Sequence, residues 1–163
     1  MRTYELGTQD DLNLLYSRLD TEYYIHLKEF NLRFAIILVT NENPKTGEIL
    51  PAFKTLPYKV KLNNMKDRLI KRVDVEIQID ASYWNNCDII DKEALFDGVL
   101  EQIEIVHKKG LPVYNDDGIV KMRLISPDMV YHGYSVIANR HGIHSPEVKS
   151  WIEFKDEFKD ILM

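Results

Sequence analysis

The chain is poorest in the residues that build redox, zinc and phosphate sites. It holds one cysteine, Cys87, among 163 residues, so an intrachain disulfide and a cysteine-built zinc ribbon or knuckle are both excluded. A reducing compartment suits such a chain. The seven glycines are scattered and form neither the P-loop nor the dinucleotide fingerprint. There is no nucleophile elbow, and Cys87 follows Asn85 and Asn86 with no neighbouring His in sequence to activate it. The longest apolar run, residues 34–39, is far too short to span a bilayer. The first residues also lack the apolar region of a secretory signal. The expectation is a cytoplasmic protein that engages no membrane, the host cell cytoplasm if the chain is phage-encoded.

What is present is ordinary for a folded domain. Hydrophobic residues make up 45% and charged residues 29% of the chain, enough for one core and too little length for two comfortable domains. One domain over 1–163 is expected. The net charge of -5 disfavours general nucleic-acid binding, which needs clustered cations. The exception is local: residues 59–72 carry six cations against one Asp, among them Lys66, Arg68, Lys71 and Arg72. That stretch suits either an anionic partner or a solvated face balancing acidic neighbours.

Periodicity places the elements. Thr8 with Asp11 predicts a helix start, and Leu12, Leu15, Leu19 and Tyr23 carry the helix into the twenties. Residues 32–40 read as a buried strand, and the two prolines of 50–58 keep any strand there short or at an edge. Val73, Val75, Ile77 and Ile79 alternate with Asp74, Glu76, Gln78 and Asp80, which predicts an antiparallel or edge strand with one face in water. Asp91 opens a helix whose apolar set is Leu95, Val99, Ile103 and Val106, with its end at Gly110 and Pro112. Asn115-Asp-Asp-Gly118 predicts a hairpin turn. Ser126-Pro127 opens a helix to about His141, and Ser145-Pro146 opens the last, with Val148, Trp151, Ile152, Phe158 and Ile161 as its apolar stripe. The fold class is α+β, helices packed on a small, mostly antiparallel sheet.

The order of these elements resembles a phage metallopeptidase family. The resemblance rests on the first helix, on Leu32-Arg-Phe-Ala-Ile-Ile-Leu-Val39, on Val73-Asp-Val-Glu-Ile-Gln-Ile-Asp80 with Trp84, on Ala94-Leu-Phe-Asp97 and on Asn139-Arg-His-Gly142. It implies a zincin-like fold. In that family the Ala-Leu-Phe-Asp stretch runs into His-Glu-Leu-x-His and a third His precedes the late helix. Here the corresponding residues are Gly98, Val99 and Gln102, and Pro127, Asp128 and Met129 stand where the third ligand falls. Gly has no ligand atom, Val is no base, and a carboxamide is a poor zinc ligand.

The resemblance therefore implies a degenerate member without catalytic residues, metal or cofactor, a pseudoenzyme that acts by binding a macromolecule such as a host protein. Two alternatives stay open. One is a metal-dependent hydrolase with a rearranged site drawn from His132, His141, His144 or nearby acids; the other is a nucleic-acid binder using residues 59–72. Glu104 and His107 form a Glu-x-x-His pair without the second copy that a carboxylate-bridged site requires. Glu93, Asp97, Glu101 and Glu104 read as a solvated acidic helix face. Adjacent Tyr23 and Tyr24 cannot both face the core, so one is an exposed candidate anchor for a protein partner.

Overall fold

The computed structural model describes residues 1–127 and 133–157. Thr8 and Asp11 form a reciprocal capping box, as their spacing predicts, and start α1 (Gln9–Leu19) behind the edge strand β1 (Arg2–Leu6). The helix stops at Leu19, capped by Asp20, and does not continue into the twenties. Tyr23 and Tyr24 lie instead on a separate 3-10 turn, Glu22–Tyr24, that leads into the single turn α2 (Ile25–Lys28).

The main sheet then forms from β2 (Phe34–Glu42), β3 (Ile49–Leu50), β4 (Tyr58–Leu62) and β5 (Val75–Asp80), with α3 (Met65–Lys71) between the last two. Its order is β1-β2-β5-β4, with β3 attached to β2. All neighbours are antiparallel except the central pair β2 and β5, which run parallel in the register Phe34 to Val75 and Ile36 to Ile77. The sheet is thus mostly antiparallel, as expected.

The position of β5 differs from the sequence expectation. It is an interior strand, and Glu76 and Asp80 on its polar side are buried. The alternation is real, but those acids are satisfied by protein and not by water. Lys71 and Lys61 reach Glu76, the backbone N–H of Ala52 and the hydroxyl of Ser82 donate to Asp80, and Arg33 clamps Asp74 just before the strand.

After β5 come α4 (Ala81–Asn85) and α5 (Ile89–Glu101). Asp88 caps α5 and Asp91 is its reciprocal box partner three residues on, so the cap stands three residues before the residue singled out in the sequence. The helix also ends sooner. Gln102 closes it, and Ile103 begins β6 (Ile103–Ile105), followed by the short strands β7 (His107–Lys108) and β8 (Leu111–Pro112). Ile103 remains buried, but on a strand that pairs antiparallel with β9 (Met122–Leu124). Between β8 and β9 the Asn115–Gly118 turn closes with Gly118 at φ 78°, as its sequence predicts.

Of the helix expected over 126–141, only α6 (Ser135–His141) is helical among the described residues. Ser126 and Pro127 are not helical and Tyr134 stands as the cap of α6, so Ser126-Pro127 does not open that helix. Asp128, Met129 and His132 lie outside the described residues. The last helix, α7 (Pro146–Glu157), starts where Ser145-Pro146 predicts. Its stripe is not buried in the expected way, for Trp151 and Ile152 are each 40% exposed. Phe158 and Ile161 lie outside the described residues.

The core packs α1 and α5 on one face of the sheet, with Leu15, Leu19 and Leu27 against Phe34, Ile36, Val75, Ile77, Phe96 and Val99. The architecture is α+β. Among the described residues no helix is long and apolar enough to cross a membrane.

Candidate functional site

Helix α5 is buried almost all round from Ala94 to Leu100, so it runs through the interior with no long solvated face. Gly98 and Val99, where the family resemblance places a zinc ligand and a base, lie inside this stretch. A Cβ on Gly98 would stand 2.6 Å from the Tyr58 hydroxyl oxygen on β4. Val99 is fully buried, and Gln102 is consumed as the helix cap, its carbonyl accepting from Ile125 N–H. The position that would carry the first imidazole is packed against Tyr58 of β4, whereas Gln102 is half-buried.

The acid in the same stretch is the surprise. Asp97, read from sequence as part of a solvated face, has no exposed side-chain surface. Arg18 of α1 donates to both its oxygens, Nε to Oδ1 and Nη2 to Oδ2, each at 2.7 Å. Arg140 Nη1 lies 3.1 Å and His141 Nε2 2.7 Å from Oδ2. Burial by itself raises the pKa of this carboxyl. Hydrogen bonds from Arg18 and His141 and the charge of Arg18 outweigh it and hold the group at about 2. The signal in the sequence was an acid enclosed by Ala-Leu-Phe and Gly-Val-Leu, an apolar setting in which a carboxylate is kept only when paired.

Of the paired tyrosines, Tyr24 is buried and Tyr23 is 46% exposed, so only Tyr23 is available as an anchor. The Tyr24 hydroxyl accepts from Arg140 Nη1 at 2.8 Å and faces the Asp97 carbonyl at 3.0 Å and Glu101 Oε2 at 3.3 Å. Burial and then the Asp97 charge push its pKa upward. The Arg140 guanidinium lies 3.7 Å from the centre of the Tyr23 ring. Beside this centre opens a cleft of about 470 Å³. Leu100, Ile103 and Ile105 line it from the core, and Tyr23, Phe30 and Arg140 line it from the other elements. It is a mixed aromatic and polar recess that can receive a side chain.

The remaining sequence candidates are dispersed. Glu104 and His107 are not on a helix: Glu104 pairs with Arg123 across β6 and β9, and His107 Nδ1 lies 3.0 Å from the Ile105 carbonyl. His141 and His144 turn to different acids, Asp97 and Asp91, so the structure does not bring them to one ion. Their proposed companion His132 lies outside the described residues. Asp88, Asp91 and His144 do place ligand atoms within 4.8 Å of one another. Both acids, however, cap α5, and Lys149 Nζ already sits 2.7 Å from Asp91. Cys87 is no activated thiol: burial pushes it up to about 11.

The basic segment is split as well. Arg68 is buried, donating to the Asn63 carbonyl and pairing with Asp117 at 2.8 Å. Lys71 pairs with Glu76 at 3.1 Å. Only Lys66 and Arg72 of the four keep their charge without an ion-pair partner among the described residues, too few for a phosphate-tracking stripe. Comparison of the chain with protein-family models, curated proteins and solved structures finds no match.

Proposed function

We propose that this chain is a non-catalytic, phage-type accessory protein on a degenerate metallopeptidase-like scaffold, working in the host cytoplasm by binding a protein partner. The observation that carries this reading is the closure around Gly98. The positions that would present the first imidazole and the carboxylate are sunk in the core, Gly98 beneath Tyr58 and Val99 fully buried. A catalytic zinc site keeps one coordination position open to substrate, and there is no space for one at this turn. The dispersal of His141 and His144 and the raised Cys87 pKa support the same reading against a rearranged hydrolase. Binding is the remaining role of such a scaffold, and the cleft with Tyr23 at its edge is the surface offered for it.

The test is elemental analysis and peptide hydrolysis on the native protein, with photo-crosslinking from position 23 in the native host. Absence of stoichiometric zinc and of hydrolysis is expected, with one protein crosslinked from position 23 and the same protein captured by the wild type but not by Tyr23→Ala in a pull-down. One tightly held equivalent of zinc together with hydrolysis would overturn the reading.

A further inference from the structure

Helix α3 is inside out. Its buried residue is Arg68, while Leu69 is 80%, Ile70 67% and Met65 44% exposed. A two-turn helix on a protein surface ordinarily turns its aliphatic side chains inward and its cations outward. Here the inward face is taken by the Arg68 contacts to Asn63 and Asp117, which leaves the aliphatics outside. Beside them runs a groove of about 310 Å³ between Met65, Leu69, Arg72 and Ile119, and Lys66 and Arg72 add two cations without an ion pair among the described residues.

A surface of opposite character lies at the other end of β5. There α3 precedes the strand, whereas α4 and α5 leave its far end. At the start of α5, Ile89 is 61% and Ile90 46% exposed. A depression of about 430 Å³ joins Ile89 and Lys92 to Leu14, Asp10, Asp11 and Asn13 of α1, and the Lys92 ammonium lies 4.7 Å over the Trp84 ring. Asp11 and Asp88 each spend one carboxylate oxygen on a capping bond, and Asp10 makes no ion pair among the described residues. One surface is aliphatic with two cations unpaired among the described residues, the other aliphatic with Asp10 and Asp11 outnumbering Lys92.

We propose that the protein associates with a second copy of itself, the Met65, Leu69 and Ile70 face of one copy seated on the Ile89 and Asp10 face of the other. Charge decides the pairing. Joining α3 to α3 would set Lys66 and Arg72 against their own copies, whereas the cross-pairing sets them against Asp10 and Asp11, with Lys92 held over the Trp84 ring. Contiguous exposed aliphatics rimmed by charge mark interaction surfaces, and each copy carries both halves of this one. The contact uses neither the cleft nor Tyr23, so it stands apart from the function proposed above.

Light scattering coupled to size exclusion, run over a range of concentrations on the full chain, tests it. The wild type should gain mass with concentration. Leu69→Gln with Ile70→Gln, and separately Ile89→Gln with Ile90→Gln, should each be monomeric at every concentration while keeping the wild-type circular dichroism. An equimolar mixture of the two variants should recover a one-to-one dimer, because each retains the face that the other has lost. A wild type that stays monomeric to its solubility limit overturns the proposal. So does association that survives in either variant, or a mixture that stays monomeric. If the glutamine pairs fail to fold, Lys66→Glu with Arg72→Glu against Asp10→Lys replaces them. Each should be monomeric alone, their mixture should gain mass because both cross contacts become charge-matched, and a mixture that stays monomeric overturns the proposal.

Discussion

The Asp97 carboxylate and the His141 imidazole stand 2.7 Å apart although 44 residues separate them in the chain. The same carboxylate is held through both oxygens by Arg18, which is 79 residues away on α1. Three elements, α1, α5 and α6, are therefore fastened at one buried anion. Removing that anion leaves two guanidinium groups facing one another in a poorly solvated place. Asp97→Asn should lower stability by about 3–5 kcal/mol, the cost of breaking a buried pair from one side. Arg18→Met, which removes charge and keeps volume, should cost less than Asp97→Asn. A denaturant series at constant slope checks the order, and Asp97→Asn at wild-type stability would refute the account.

The same centre fixes a pH dependence. The folded pKa of Asp97, about 2, lies below its ordinary 3.8. A depressed folded pKa means stability that is fully present above the unfolded value and is lost as pH falls through the folded one. The difference corresponds to about 2 kcal/mol, lost between about pH 4 and about pH 2. Acid unfolding followed by tryptophan fluorescence should show this loss in the wild type and lack it in Asp97→Asn. Equal acid sensitivity in both would place the titrating group elsewhere.

Gly98 and Tyr58 give a prediction whose sign reverses with background. Ala is the better helix former by about 1 kcal/mol. Gly98→Ala should nevertheless destabilise by about 1–3 kcal/mol, because its Cβ would meet the Tyr58 oxygen at 2.6 Å. That oxygen is buried without a hydrogen-bond partner among the described residues. Tyr58→Phe alone should therefore cost little. In the Tyr58→Phe background Gly98→Ala should become neutral or stabilising. Thermal midpoints of the four proteins test this, and an unchanged penalty in the Phe background would show that the clash is with something else.

By extension, restoring the family pattern with Gly98→His, Val99→Glu and Gln102→His should give a protein that does not fold, not a peptidase. An imidazole at 98 and a carboxylate at 99 would enter a filled interior, while position 102 is half-buried, and the first two changes together exceed what a domain's marginal stability absorbs. A folded triple variant that binds zinc and cleaves peptide would overturn both the packing argument and the proposed loss of function.

Local signals were legible in the sequence where one residue's chemistry decides the outcome. The Thr8 and Asp11 cap, the Gly118 turn and the Ser145-Pro146 helix start all stand where the sequence places them. The signals that failed depend on partners distant in sequence. The polar side of β5 reads as wet because its alternation is blind to Lys71, Ala52 and Ser82, which satisfy it. Asp97 reads as one of four acids on a helix face because Arg18 and Arg140 are far away in the chain. Ile103 keeps the helical repeat from Leu95 and Val99 while lying on β6, since one more apolar residue at that spacing fits either element and the β9 pairing decides. The candidate site suffered most, because what distinguishes Tyr23 from Tyr24, or Arg68 from Lys66, is tertiary.

The last prediction separates those two pairs. Tyr24→Ala should cost about 3–5 kcal/mol, since it empties a buried ring site and removes the hydroxyl that receives Arg140. Tyr23→Ala should change stability far less, by about 1 kcal/mol for the lost Arg140 stack, and reduce partner capture instead. On α3 the same logic makes Arg68→Ala destabilising by on the order of 3 kcal/mol, because it removes a buried side chain, takes a donor from the Asn63 carbonyl and takes the cation from Asp117. Lys66→Ala should stay within about 0.5 kcal/mol of wild type. A basic-patch nucleic-acid binder predicts the opposite emphasis: Lys66→Ala with Arg72→Ala would flatten the salt dependence of DNA or RNA binding while stability is unchanged. We expect no salt-dependent nucleic-acid binding by the wild type in a filter or anisotropy assay. Its appearance, with sensitivity to Lys66 and Arg72 but not to Tyr23, would move the function from a protein partner to a nucleic acid.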